Sequence, residues 1–200
     1  MADLVLSGNT SGAITISAPS VAGTNTITLP ANTGTVITTG SSGQVIPKAA
    51  LPTGSVLQVI STTFTDSTTI ASTTLTDITG ATASITPTSN TSKILIIISL
   101  QSFLRYDTTG VQYATFRVLR GSTTVQDFGA SVITNSTGTA LTQFLGGNYA
   151  INYLDSPASI SSLTYKVQAN VSTTASTGRI LFNEAGRSSS STITLMEISA

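Results

Sequence analysis

The longest nearly unbroken apolar run in the chain is Lys93-Ile94-Leu95-Ile96-Ile97-Ile98-Ser99-Leu100. Turn residues bound it: Pro87-Thr88-Ser89-Asn90 before, Asp107-Thr108-Thr109-Gly110 after. So short a run, rich in β-branched Ile, predicts a strand rather than a helix, because branching at Cβ crowds the preceding helical turn. Polar residues do not alternate with the apolar ones. The run therefore reads as a strand buried on both faces, the centre of a β-sandwich.

The rest of the second part of the chain is expected to cover that strand. Short apolar segments follow one another with Gly, Asn, Asp and Ser between them. Strands are predicted over 55–64, 75–78, 83–85, 94–103, 112–119, 123–128, 140–145, 162–171, 179–183 and 192–198. The pair 112–119 and 123–128 is joined by Arg120-Gly121-Ser122 and reads as a hairpin. The cleanest alternation runs from Leu163 through Tyr165, Val167 and Ala169 to Val171, with Thr164, Lys166, Gln168 and Asn170 on the other face. The segments 75–78 and 83–85 are short and are expected at a sheet edge. No amphipathic helix is evident. Many strands at this spacing predict a jelly-roll-like sandwich.

The first fifty residues have a different texture. Ala13-Ile14-Thr15-Ile16, Thr26-Ile27-Thr28-Leu29 and Val36-Ile37-Thr38 recur as apolar–Thr–apolar units, separated by turn residues such as Ala22-Gly23-Thr24-Asn25. Each unit predicts a strand of one apolar face, too small to build a core alone. The apolar positions Ile14, Ile16, Ile27, Leu29 and Val36 must therefore be covered by something else. Two readings stand: copies from neighbouring chains intertwine in a homotrimeric shaft, or the segment is a flexible arm that orders on a large partner surface. Thr39-Gly40-Ser41-Ser42-Gly43-Gln44 is the linker candidate, with Pro47 and Pro52 stiffening its exit. The domains expected are residues 1–50, an extended β-rich arm or shaft, and 51–200, the sandwich.

Composition sharpens this picture. Charged residues make up 8% of the 200-residue chain, against about 25% in ordinary globular domains. The net charge is +0, and from Leu4 to Pro47 there is no charged residue. Without a basic patch in the sequence, nucleic-acid binding has little support. Ser and Thr fill the polar positions instead. A neutral, Thr-rich surface suits a protein whose faces are covered in an assembly better than a free monomer. No segment is long and apolar enough for membrane insertion, and Met1-Ala2-Asp3 lacks the basic start of a signal peptide. The Asn-x-Ser/Thr triplets at Asn9, Asn90, Asn135 and Asn170 are expected by chance in so Ser/Thr-rich a chain.

The chemistry of catalysis is missing. Cys and His are both absent, which removes disulfides, thiolate sites and the commonest general base and metal ligand. The acids Asp3, Asp66, Asp77, Asp107, Asp127, Asp155, Glu184 and Glu197 sit singly, mostly near turns. No phosphate-binding loop is present; Gly146-Gly147 stands isolated. The expectation is no enzyme, no cofactor, no catalytic residue and no metal site. Binding candidates are two segments where aromatic and charged residues meet, both read as loops. They are Arg105-Tyr106-Asp107, and the stretch from Asn148 to Asp155 that holds Tyr149, Tyr153 and Asp155.

Two segments carry a family resemblance. Leu4-Val5-Leu6-Ser7-Gly8-Asn9-Thr10-Ser11-Gly12-Ala13-Ile14-Thr15-Ile16, continuing to Thr24-Asn25-Thr26-Ile27-Thr28-Leu29-Pro30, resembles the N-terminal repeats of tail-fibre and virion structural proteins of tailed phages, particularly marine and cyanobacterial ones. Gly54-Ser55-Val56-Leu57-Gln58-Val59, with Ser84-Ile85-Thr86-Pro87 and Ser92-Lys93-Ile94-Leu95-Ile96, resembles the head domain that often follows. The resemblance covers most of the first half of the chain. It implies a homotrimer with a β-rich shaft or arm and a jelly-roll-like knob, on the external surface of a virion and assembled in the host cytoplasm. The partners it implies are further copies of the chain, other tail or capsid proteins, and a host cell-surface polysaccharide or protein. Two roles follow, a receptor-facing tail fibre or a capsid decoration protein. No catalytic motif comes with it.

Overall fold

The computed structural model describes residues 4–7, 11, 13–16, 51–106, 110–136, 143–175, 178–186 and 189–200. The chain divides into two units, Met1–Val45 and Ile46–Ala200. In the first, β1 (Leu4–Ser7) and β2 (Ala13–Ile16) pair antiparallel, Leu4 opposite Ile16 and Ser7 opposite Ala13. The predicted strand with Ile14 and Ile16 is thus formed. The units carrying Ile27, Leu29 and Val36 lie outside the described residues.

The second unit is all β in its described elements. Its strands are β3 (Val56–Phe64), β4 (Thr68–Ile70), β5 (Thr76–Ile85), β6 (Lys93–Tyr106), β7 (Gly110–Arg120), β8 (Thr123–Ser136), β9 (Gln143–Asp155), β10 (Leu163–Val171), β11 (Arg179–Phe182) and β12 (Ser191–Ile198). One sheet has the order β5-β10-β7-β8; the other has β3-β12-β6-β11-β4, with β9 on the remaining edge of β6. All pairs are antiparallel.

Leaving aside the short β4 and β11, the eight long strands pair first with last and inward. β3 lies against β12, β5 against β10, β6 against β9, and β7 against β8. That is one long hairpin rolled over itself, which defines the jelly roll. The expectation of an all-β, jelly-roll-like sandwich is met.

β6 is the central strand of its sheet, as its apolar run predicts. β12 and β11 share one edge of it and β9 takes the other. Ile94, Ile96, Ile98, Leu100 and Leu104 point between the sheets and are fully buried. They meet Ala114, Phe116 and Val118 of β7 and Tyr165, Val167 and Ala169 of β10, in one core. Phe116 stacks on Tyr149 with ring centroids 4.0 Å apart and meets Phe182 edge-on at 6.1 Å. The opposite face of β6 departs from expectation. Leu95 and Ile97 are only half-buried, so no element among the described residues seals that face.

The segments 75–78 and 83–85 are one edge strand, β5. A register shift against β10 falls between Lys166 and Gln168, opposite Gly80, whose φ is +78°. Before the bulge Ile78 is buried; after it Ala81, Ala83 and Ile85 are. Five steps along β5 answer two along β10, and the odd excess of three residues flips the alternation, which hides the strand from a period-two search.

Candidate interaction surface

Of the residues singled out for partner contact whose side chains are described, most are placed by the fold in its interior. The stretch from Asn148 to Asp155 is not a loop but the body of β9, paired residue for residue with β6 from Gln101 to Ile94. Its odd positions turn inward: Tyr149 and Tyr153 pack against the core and Ile151 is buried within it. The Asn residues and Gly146-Gly147 obscure this alternation in sequence. Gly146 has a reason in the tertiary structure, since the ring of Phe103 on β6 occupies the space its Cβ would need. Arg105 and Tyr106 also belong to a strand, the last residues of β6, and Asp107 lies outside the described residues. Among those whose side chains are described, Arg105 alone is turned outward.

Asp155 sits between the sheets. Its Oδ2 accepts a hydrogen bond from the Tyr165 hydroxyl at 2.7 Å and an ion pair from Arg120. Burial first, then the neighbouring carboxylate, hold the Tyr165 phenol well above its ordinary range. A hydroxyl kept protonated there can donate to Asp155 and fasten β10 to β9 across the sandwich.

Two further buried polar knots follow. Glu197, on β12, accepts from Thr88 N at 2.6 Å, Thr88 Oγ1 at 2.7 Å and Gln58 Nε2 at 2.6 Å. Burial opposes its ionisation, but these donors outweigh it and hold the carboxyl below its ordinary value. Asn183, at φ +46°, donates to Phe64 O at 3.0 Å and accepts from Ser191 Oγ at 2.8 Å. Ser191 Oγ in turn accepts from Gln101 N at 2.9 Å. Each knot ties strands together and is satisfied from within. Among the described residues no group of three or more acids could hold a metal. The open recesses found, one lined by Thr88, Ser89 and Ser92 and another by Asn183, Glu184 and Ser189, gather no more than one ionisable side chain each.

The informative surfaces are the two outer sheet faces, which differ in kind. On the β5-β10-β7-β8 sheet, Asp127, Arg117, Gln168 and Asp77 follow one another across four strands. Arg117 forks onto Asp127, with Nε–Oδ1 2.5 Å and Nη2–Oδ2 3.1 Å. Lys166 Nζ and Gln168 Nε2 each donate to Asp77 at 2.7 Å. This face is dressed for water.

The other outer face carries no charge across its middle. Register partners share a face in an antiparallel sheet, so Val59, Met196, Leu95 and Leu154 form one row across β3, β12, β6 and β9. The next row is Ser61, Thr194, Ile97 and Asn152; the one after it Thr63, Thr192, Ser99 and Ala150. Val56 and Ile198 extend the apolar end. Charge appears only at the limits of the face, Lys93 at one end and Arg105 with its register partner Arg179 at the other. Sequence reasoning missed this surface. Its residues come from strands far apart in the chain, and only the half-apolar odd positions of β6 hinted at it.

The β6 register also orients the unit. Val56 and Ile198 lie at the Lys93 end, and Gly54 N donates to Ser199 O at 2.8 Å there. Tyr106, the last residue of β6, lies at the opposite end of that 14-residue strand, about 45 Å away at ~3.3 Å per residue.

No protein-family model matches the chain, and no curated protein matches it. Among solved structures it is similar to the infectious bursal disease virus VP2 subviral particle, at 17% identity over 73% of this chain and 38% of that one, with a TM-score of 0.29. It is similar to the T13 particle of the same virus at 14% identity over 72% and 36%, TM-score 0.32. The Gt strain gives 16% identity over 78% and 40%, TM-score 0.30. The chain spans about two fifths of the length of these solved chains.

Proposed function

We propose that this chain is a non-enzymatic structural protein of a virion, a short homotrimeric tail fibre that faces the host receptor. The observation that carries the reading is a segment without charge from Leu4 to Pro47 preceding a jelly roll whose polar knots are all structural. Apolar strands that cannot build a core alone need other chains, and the carboxylates of the knots are engaged by the knob's own donors. The phage tail-fibre resemblance of the first half of the chain supports the same reading.

In this reading residues 1–50 are the arm or shaft and attach to the tail. The knob, 51–200, presents its far end, with Arg105 and Tyr106 closing β6 and Asp107 next in the chain, to a host-surface polysaccharide or protein. Tyr149, opposite Leu100, braces β6 from within, while Tyr153 and Asp155, opposite Ile96 and Ile94, lie toward its other end. Purified wild-type protein is expected to bind host cells or their envelope polysaccharide at micromolar concentration, and the Arg105→Ala, Tyr106→Ala double variant to lose most of that binding while remaining folded. An intact assembly without host binding would rule out the fibre.

A capsid decoration protein is the second reading, favoured by the small size of the chain, with the arm lying along shell subunits. Copy number per virion separates the two, since fibres come in tens and decoration proteins in hundreds. Capsids stripped of a decoration protein should also burst more easily.

A further inference from the structure

We propose that the outer face of the six-stranded sheet, centred on Leu95, Ile97 and Met196, is the contact surface between knobs of different copies of this chain. This names the face used by the self-assembly proposed above and rests on that self-assembly.

Four observations converge on a second copy. The two outer faces share one solvent if the knob is monomeric, yet Asp77, Arg117, Asp127 and Lys166 all lie on one of them. The other offers Val59, Leu154 and Val56, each about half exposed, beside Leu95, Ile97, Met196 and Ile198. Such a contiguous apolar row is uncommon on the surface of a free protein.

Four of the polar residues on this face are already paired with one another. Ser61 Oγ and Thr194 Oγ1 are 2.9 Å apart, and Asn148 Nδ2 donates to Ser99 Oγ at 2.6 Å. Hydroxyls and amides satisfied within the sheet can be covered by a dry partner without losing hydrogen bonds to water.

The area is sufficient. Four strands about 4.8 Å apart and nine residues long give roughly 19 by 30 Å, about 570 Å² in projection. Side-chain relief brings the accessible area toward the ~800 Å² per partner of a standard interface. Two such sheets stack about 10 Å apart, as in the interior of a sandwich.

The charge pattern selects the occupant. A face without charge across its middle asks for a partner face equally free of charge. Among the described residues this same sheet is the surface that meets the requirement, with Lys93, Arg105 and Arg179 left at the rim where water reaches them.

The chain has no cysteine, so single introduced thiols report without background. The full-length Ile97→Cys variant is expected to react with a maleimide at least 10-fold more slowly in the concentrated oligomer than after dilution to monomer. Thr82→Cys, on the charged outer face, should react at the same rate in both. Sedimentation of full-length Leu95→Glu and Met196→Glu should show a dissociation constant raised at least 10-fold, with a circular dichroism spectrum unchanged from wild type. A wild-type oligomer in which Ile97→Cys labels as fast as Thr82→Cys, and Leu95→Glu associates normally, overturns the assigned face and leaves self-assembly standing. A wild-type chain that sediments as a monomer overturns both. Protection of Ile97→Cys that persists on dilution to monomer assigns the face to the chain's own remaining residues and also overturns the proposal.

Discussion

Glu197 and Tyr165 titrate in opposite directions for the same reason, that each is held in the protonation state its neighbours need. Thr88 and Gln58 donate to the Glu197 carboxylate, so its folded value lies below the ordinary 4.5. The stability it contributes is full above pH 4.5 and is lost as pH falls through the folded value. Asp77 and Asp127, lowered by hydrogen bonds from Lys166 and Arg117, act in the same direction, but they are exposed and add little. Glu197→Gln turns an amide toward donors and should cost about 1–3 kcal/mol at pH 7. Urea unfolding from pH 7 to pH 3 should then show a shallower loss in the variant than in wild type. Tyr165 is the converse. Its folded value is raised above the ordinary 10.0, so its contribution is full below pH 10 and lost as pH rises beyond it. Tyr165→Phe should lower stability by about 1–3 kcal/mol at pH 7. It should also flatten the decline between pH 10 and 11.5, read by thermal unfolding.

At the scale of elements, the bulge in β5 is what lets an edge strand follow the curve of the sandwich. Gly80 holds it with φ +78°, and a Cβ placed there would lie 3.0 Å from Phe64 Cβ. A side chain at this position meets both a left-handed backbone and a buried ring. Left-handed geometry costs roughly 1–2 kcal/mol for an L residue, and displacing Phe64 costs more. Gly80→Val is therefore expected to lower stability by about 2–4 kcal/mol in chemical denaturation. β5 and β9 also mark what was legible in the chain. The run Ile94–Leu100 and the alternation from Leu163 to Val171 announce their strands, because three or four unbroken periods lie within one element. β9 conceals itself. Its inward Tyr149, Ile151 and Tyr153 alternate correctly, but Gly146-Gly147 and two Asn residues read as a loop until the ring of Phe103 is seen filling the space over Gly146. That contact joins residues 43 positions apart.

The whole molecule separates into a unit that completes its own core and a segment whose apolar faces are expected to find cover in other chains. The two should respond differently to the same insult. Ile96 is fully buried at the centre of β6, and Ile96→Asp places an unpaired carboxylate among Ile and Leu. The expected outcome is a knob without a cooperative unfolding transition. Ile27→Asp, in the arm, should leave the circular dichroism and the unfolding transition of the knob unchanged. Under the proposed function it should reduce assembly, measured as loss of the trimer in sedimentation. A monomeric wild type, or an Ile27→Asp variant that assembles normally, would count against an arm buried between chains.

The chain's own order of residues determined that this protein is a β-sandwich with Ile94–Leu100 at its centre, because strand formation and inward alternation are local, repeating with every second residue. It also determined that catalysis by His or Cys is absent. Only the tertiary structure decided which faces of those strands are sealed. Met196 stands beside Val59 and Leu95 through pairings that span more than a hundred positions, and Asp155 turns inward because Arg120 and Tyr165 converge on it from the other sheet. A face is apolar or charged as a whole only once its strands lie side by side, and that adjacency is a property of the rolled hairpin rather than of any one strand.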